Sequence, residues 1–295
     1  MALETIKRSI RRILLDLPTR SKYKFIMRDW IRLSDLQACS KVLETKRFSR
    51  NIRPIELPGP ANRDIIVLAP HPDDDILGSG GTLLTAIETG ASVTVVYLTN
   101  GSNDKHRSEK IKEESKSVCN LAGFTPNFLD FSVGQIPLTS QRFEQLLEQI
   151  FCQTTSQFAL FLPFFLDDHD DHRRINQIIQ KSQVLNANLS RVEIWSYQVY
   201  STVIPNVIVD ITTKIERKAG LLRLWKHVSG NRDWAHYITG INAANCRFLS
   251  GSGEVYGEAF FVLPLSEYLS LAGQYFAAGN KATYYSNAYQ TDPEE

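Results

Sequence analysis

The chain is expected to be an α/β protein: a Rossmann-like, doubly wound, mostly parallel sheet with helices on both faces, preceded by a helical N-terminal extension. Three observations predict this. Short apolar runs of strand length alternate with longer stretches of helical periodicity between residues 64 and about 183. The strand runs are apolar throughout rather than every second residue, as in strands covered on both faces. Glycine, proline and asparagine separate the segments at the spacing of short βα and αβ connections.

The elements follow in order. Residues 64–69 (Asp-Ile-Ile-Val-Leu-Ala) form a buried strand, and 76–89 a helix that stops at Gly90. Residues 92–98 make a second strand closed by Asn100-Gly101, and 105–122 a charged amphipathic helix ended by Gly123. Strands are expected at 127–131, 158–162, 192–200 and 207–211, with a last one over 255–263. Helices are expected at 142–151, 171–183 and from about 213 to 227.

Residues 1–60 read as a basic helical extension ended by Pro54, Pro58, Gly59 and Pro60, residues 61–285 as the α/β domain, and 286–295 as a frayed tail. Residues 1–53 carry 14 Lys/Arg against 5 Asp/Glu, whereas the remainder carries 19 against 27. Lys7, Arg8, Arg11 and Arg12 interleave with Ile6, Ile10, Ile13, Leu14 and Leu15 at helical spacing. Such a helix either packs its apolar face on the domain or makes a peripheral contact with an anionic membrane surface. No motif for nucleic acid accompanies the charge. No run approaches the roughly 18–20 apolar residues that span a bilayer, and residues 10–17 are too charged for a signal core, so the expected location is cytoplasmic, including the inner face of the membrane. Cys39, Cys119, Cys152 and Cys246 form no Cys-x-x-Cys pair and are expected to be buried thiols.

Chemistry is concentrated at two strand ends. Pro70-His71-Pro72-Asp73-Asp74-Asp75 follows the first strand, and Asp167-Asp168-His169-Asp170-Asp171-His172 follows the fourth. Acids at helix starts can serve simply as caps. That does not account for three of the chain's six histidines standing beside them. Two imidazoles and a carboxylate are a ligand set for catalytic zinc with an open position for water. His71 and Asp74, three apart, can face one centre, with His172 as third donor. Asp73 is then the candidate general base and His169 the group facing the developing oxyanion. Zn2+ is expected from ligand type, although Fe2+ or another divalent ion suits the same donors.

These residues carry a resemblance. Ala69-Pro70-His71-Pro72-Asp73-Asp74-Asp75 resembles the (A/P)-H-P-D-D-E signature of the PIG-L/LmbE-like zinc-dependent de-N-acetylases, and His169-Asp170-Asp171-His172 their later H-x-D-H segment. The similarity extends from about Asp64 to Phe261 and takes in Thr99-Asn100-Gly101, Pro205 to Asp210, Lys218 and Gly257-Glu258-Ala259-Phe260. It implies a metal-dependent amidohydrolase that removes acetyl from an N-acetylglucosamine-type sugar or conjugate, releasing acetate and a free amine. It further implies metal on His71, Asp74 and His172, Asp73 as base, His169 as oxyanion partner or acid, and Asp171 orienting a ligand imidazole. Asp75 replaces the signature's Glu and is expected to alter a supporting hydrogen bond. Ile111 stands where many members place a substrate-binding Arg, leaving Arg107, Lys110 or Lys112 as substitutes. Asp167 stands where some members have Tyr. Alternatives are a deacylase of another small amide, or a non-catalytic sugar-binding protein on the same fold.

Weaker signals remain. Gly78-x-Gly80-Gly81 could cradle a pyrophosphate, but beside Asp73, Asp74 and Asp75 the glycines are better read as allowing close helix–sheet approach. Trp195, Tyr197, Tyr200, Trp225 and Trp234 serve either core packing or stacking on a sugar ring. His106, His227 and His236 are expected to be ordinary surface or core histidines, and no nucleophile elbow is present.

Overall fold

The structure is a computed structural model that describes residues 54–277, apart from 61, 62, 155, 202 and 231, together with 41, 42 and 45. The outer parts of the N-terminal extension, the tail and Cys39 lie outside the described residues. Eight strands form one sheet: β1 (Ile55–Glu56), β2 (Asp64–Ala69), β3 (Val93–Thr99), β4 (Thr125–Phe131), β5 (Phe158–Pro163), β6 (Val192–Tyr197), β7 (Val207–Asp210) and β8 (Gly257–Pro264). Their spatial order is β1-β7-β8-β6-β5-β2-β3-β4. All neighbours pair in parallel except β8, which runs antiparallel between β6 and β7.

Nine α-helices accompany them among the described residues: α1 (Asp74–Glu88), α2 (Lys105–Ala122), α3 (Gln141–Cys152), α4 (Asp170–Lys181), α5 (Gln183–Ala187), α6 (Ile215–Leu222), α7 (Lys226–Ser229), α8 (Trp234–Ala244) and α9 (Leu265–Ala277). The pleat sends alternate β2 residues to opposite faces. Ile66 and Leu68 join a core built with α3, α4 and α9, while Ile65, Val67 and Ala69 join one built with α1, α2, α6 and α8. Both sheet faces are therefore covered, the doubly wound arrangement expected from the uninterrupted apolar strands.

Several boundaries differ from expectation for identifiable reasons. The helix expected over 213–227 is broken: a 3-10 turn at Thr212–Lys214 leads into α6, which ends at Leu222 before α7. The break brings Trp225 into the core, where its Nε1 donates to Ser115 Oγ on α2 at 3.2 Å. The helix expected over 171–183 is two, because Ser182 leaves helical geometry (ψ 122°) and caps α5 by accepting from Leu185 N. The sheet begins at Ile55, ahead of residue 61 where the domain was expected to start, since β1 pairs with β7. Helices α8 and α9 were not foreseen. The expectation of buried cysteines is corrected: Cys119 is buried, but Cys152 and Cys246 are exposed at the end of α3 and in a 3-10 turn.

Helix α1 lies unusually close to the sheet. A Cβ on Gly78 would stand 2.0 Å from the Tyr197 ring, and one on Gly81 would stand 2.6 Å from Ile211. The glycines serve close approach, as the sequence predicts. Behind them, Lys218 and Glu258 form a fully buried ion pair at 2.6 Å. Lys218 Nζ also donates to Leu77 O and Asn242 Oδ1, and Glu258 accepts from the N–H groups of Gly81 and Thr82. Both charges are thus multiply hydrogen-bonded, the condition for tolerating them inside. They tie α1 to β8, α6 and α8.

Candidate metal centre

The chain leaves β2 toward β3 on one side of the sheet, while β5 pairs on the other, so a crevice opens between the carboxyl ends of β2 and β5. Both acidic, histidine-bearing segments end there. His71 follows β2 directly. Asp73 caps α1 with φ 107°, a strained conformation for a residue with a side chain. Its side chain makes no capping hydrogen bond although it is 5% exposed. His169 caps α4 and His172 lies in that helix's first turn.

Three donor atoms converge. His71 Nδ1 lies 3.2 Å from Asp74 Oδ2, His172 Nε2 lies 3.3 Å from the same oxygen, and the two nitrogens are 3.3 Å apart. A tetrahedral ion with bonds of about 2.0–2.1 Å requires donor separations of about 3.3–3.4 Å. The triangle His71–Asp74–His172 matches that requirement. The alternative set of His71, His169 and His172, with donor atoms spread over up to 4.8 Å, is looser. The buried oxygens Asp74 Oδ1 and Asp171 Oδ1 have no hydrogen-bond partner among the described residues, which also suits a nearby cation.

Carboxylates orient both imidazoles from behind. Asp171 Oδ2 is 3.0 Å from His71 Nε2 and accepts from Gly134 N at 2.7 Å. Asp167 Oδ1 is 3.2 Å from His172 Nδ1. Asp167 is itself held by N–H groups of His169, Tyr200 and Ser201. This carboxylate–imidazole arrangement aims donor nitrogens at a shared centre. The sequence places Asp167 at the head of the second acidic cluster without marking it as the partner of His172. Its place in the acidic run five residues before His172 was the available signal. Tyr200 had no local signal for its position: its ring stacks on His172 (centroids 5.3 Å, 24°) and His169 (5.8 Å, 28°).

The charges follow. Burial alone would lower the His71 pKa, but its hydrogen bonds to Asp171 and Asp74 raise it to about 10. Burial is likewise outweighed at His172, which Asp74 and Asp167 raise to about 9. Burial opposes the charge on Asp74, yet His172 and His71 hold it far below the usual carboxylate range. Asp73 moves the other way, raised by burial and then by the Asp74 charge. Burial and repulsion from His71 and His172 lower His169 to about 3. Its Nδ1 accepts from Asp171 N at 3.1 Å, so the neutral ring carries its proton on Nε2. Asp75 is raised to about 7 by burial, and its Oδ2 accepts from Tyr97 Oη at 3.0 Å.

Of the three basic residues expected to touch substrate, two have partners within the protein. Lys112 donates to the Asp130 carboxylate at 2.8 and 3.0 Å, and Arg107 Nε donates to His227 O at 3.0 Å. Lys110 is exposed on α2. Ile111 is fully buried, beside Gly101. Of the remaining histidines, His227 meets Glu114 at 2.7 Å, and His106 and His236 are exposed.

Residues 66–182 match the model of the family described as PIG-L: GlcNAc-PI de-N-acetylase. The chain is 23% identical over 225 residues to the diacetylchitobiose deacetylase of Thermococcus kodakarensis, spanning 68% of this chain and 84% of that one. Among solved structures it is similar to the N,N'-diacetylchitobiose deacetylase of Pyrococcus horikoshii in complex with its inhibitor MPG. There the TM-score is 0.58 at 22% identity, over 79% of this chain and 94% of that one. The 4-carboxy-2-hydroxymuconate hydratase GalB of Pseudomonas putida KT2440 is also similar (TM-score 0.55, 15% identity, 68% and 96% covered). These structural likenesses establish the shared fold. Because it serves a deacetylase and a hydratase alike, the reaction must be argued from the residues.

Proposed function

We propose that the chain, whose residues 66–182 match the PIG-L family model, is a metal-dependent hydrolase that removes the N-acetyl group of an N-acetylglucosamine-type sugar or conjugate. The observation that carries this reading is the donor triangle of His71, Asp74 and His172, with edges of 3.2–3.3 Å, beside a buried Asp73 whose side chain makes no capping hydrogen bond. Bound by those three residues, a divalent ion, zinc by ligand type, would supply Lewis acidity toward the amide carbonyl and acidify a water molecule.

The chain's own groups perform the proton transfers. Asp73, whose proton affinity is raised, accepts the proton that the attacking water loses and passes it to the departing nitrogen, so that acetate and an amine leave. His169, neutral and protonated on Nε2, donates a hydrogen bond to the developing oxyanion. Asp171 holds the His71 imidazole by a hydrogen bond, and the Asp167 carboxylate stands behind His172 with its oxygen 3.2 Å from Nδ1.

The test is direct. Asp73→Asn is expected to retain bound metal yet lose amine release from N-acetylglucosamine-type substrates by at least about 100-fold. Metal content is measured by elemental analysis and amine by derivatisation. Undiminished turnover in the variant would refute the assignment of the base.

A further inference from the structure

The structure separates the five aromatic residues that the sequence offers for stacking on a sugar. Trp195, Tyr197 and Trp225 are 2%, 0% and 1% exposed and belong to the core. Tyr200 and Trp234 are only partly buried. Tyr200 lies against His169 and His172, and its ring and that of Trp234 meet at 62° with centroids 6.0 Å apart. Trp234 opens α8, where Asp233 caps the helix by accepting from His236 N. It is braced by the Tyr237 ring at 5.6 Å, whose hydroxyl donates to Val199 O, and by the Arg232 guanidinium over its own ring at 5.6 Å. Tyr200, on the β6–β7 connection, and Trp234, on α8, therefore form an aromatic wall beside the two histidines.

Resting on the deacetylase reading, we propose that Trp234, backed by Tyr200, is the specificity-determining platform that stacks on the pyranose ring carrying the N-acetyl group. The C–H groups on one face of a pyranose present a weakly positive, apolar surface that matches the negative face of an indole. An acyclic N-acetyl amine offers no such face. The platform consequently selects ring-bearing amides, while the donor triangle and Asp73 act on the acetamide in either case.

The experiment separates binding from turnover. N-acetylglucosamine and, in parallel, N-acetylethanolamine are titrated into metal-loaded Asp73→Asn protein with and without Trp234→Ala, followed by ligand-observed NMR. Removing the indole is expected to weaken the sugar about tenfold and leave the acyclic amide unchanged. Trp234→Phe is expected to recover most of the loss, and unchanged metal content shows that the centre is intact. Equal sugar affinity with and without the indole, equal weakening of both ligands, or no sugar binding in either protein would each overturn the platform. Wild-type turnover of the two amides, measured separately, decides the deacetylase reading. Cleavage without a Trp234 effect rejects the platform alone.

Discussion

At the residue scale the centre depends on carboxylates that hold imidazoles. Asp167 reaches His172 Nδ1 and is clamped by three backbone N–H groups. Asp167→Asn keeps the size of the side chain but removes the charge facing the ring, and is expected to weaken metal binding by about 10- to 100-fold. Chelator competition measures this, and an unchanged affinity would show that the backbone alone orients His172. The same carboxylates set a pH dependence. His71 and His172 are held protonated to about 10 and about 9 without metal, and binding needs both rings neutral. Metal affinity should therefore climb as pH rises toward 9–10, with protons released on binding at pH 7. For the metal-free protein the sign is opposite. The two raised pKa values lie above the unfolded value of 6.5, so their stabilisation is complete below about 6.5 and lost as pH rises through 9 to 10. The Tm of metal-stripped protein should fall across that window, and a flat profile would contradict the pairing.

At the element scale α1 decides the site. It carries Asp74 and Asp75, and its cap is the strained Asp73. Its approach to the sheet is set by Gly78 against Tyr197, whose hydroxyl donates to Leu68 O at the end of β2. Gly78→Ala places a methyl 2.0 Å from that ring, so the helix or the ring must shift. Overpacking of this kind costs typically about 1–3 kcal/mol. A lowered denaturation midpoint accompanied by weakened metal binding is the expected result. Lost stability with unaltered metal affinity would show that the helix start is positioned independently of its middle. The buried Lys218–Glu258 pair tethers the same helix from the other side.

At the scale of the whole molecule, the sheet order places β2 and β5 side by side although more than ninety residues separate their carboxyl ends in sequence, and this adjacency assembles the centre. Among the described residues no helix is long and apolar enough to cross a membrane. The basic surplus of residues 1–53 lies almost wholly outside the described residues and is a property of the full chain. If that segment meets an anionic surface, full-length protein should float with vesicles containing phosphatidylserine at low salt. Replacing Lys7, Arg8, Arg11 and Arg12 with Ser should abolish the effect, because each basic residue near such a surface contributes about 1 kcal/mol. Identical flotation of the two proteins would assign the helix to packing instead.

Local pattern sufficed for much of this. The apolar runs of β2, β3 and β5 identified a parallel sheet because strands buried on both faces need no polar alternation. Helix α2 was legible to the residue, because Asp104 caps its start and Gly123, at φ 86°, its end. The two histidine-bearing motifs named His71, Asp74 and His172 because their chemistry is local to strand–helix turns. What sequence could not supply depends on distant parts of the chain meeting. The broken helix at Trp225 answers to Ser115 on α2, more than a hundred residues away. Asp167 acquires its role from backbone at Tyr200 and Ser201, and Tyr200 and Trp234 face the histidines only because β6 stops at Tyr197 and α8 packs behind. Residue type and spacing determined which atoms could bind an ion. Only the tertiary packing decided their separation, their protonation and the aromatic wall beside them, since each is a through-space quantity that no local pattern encodes.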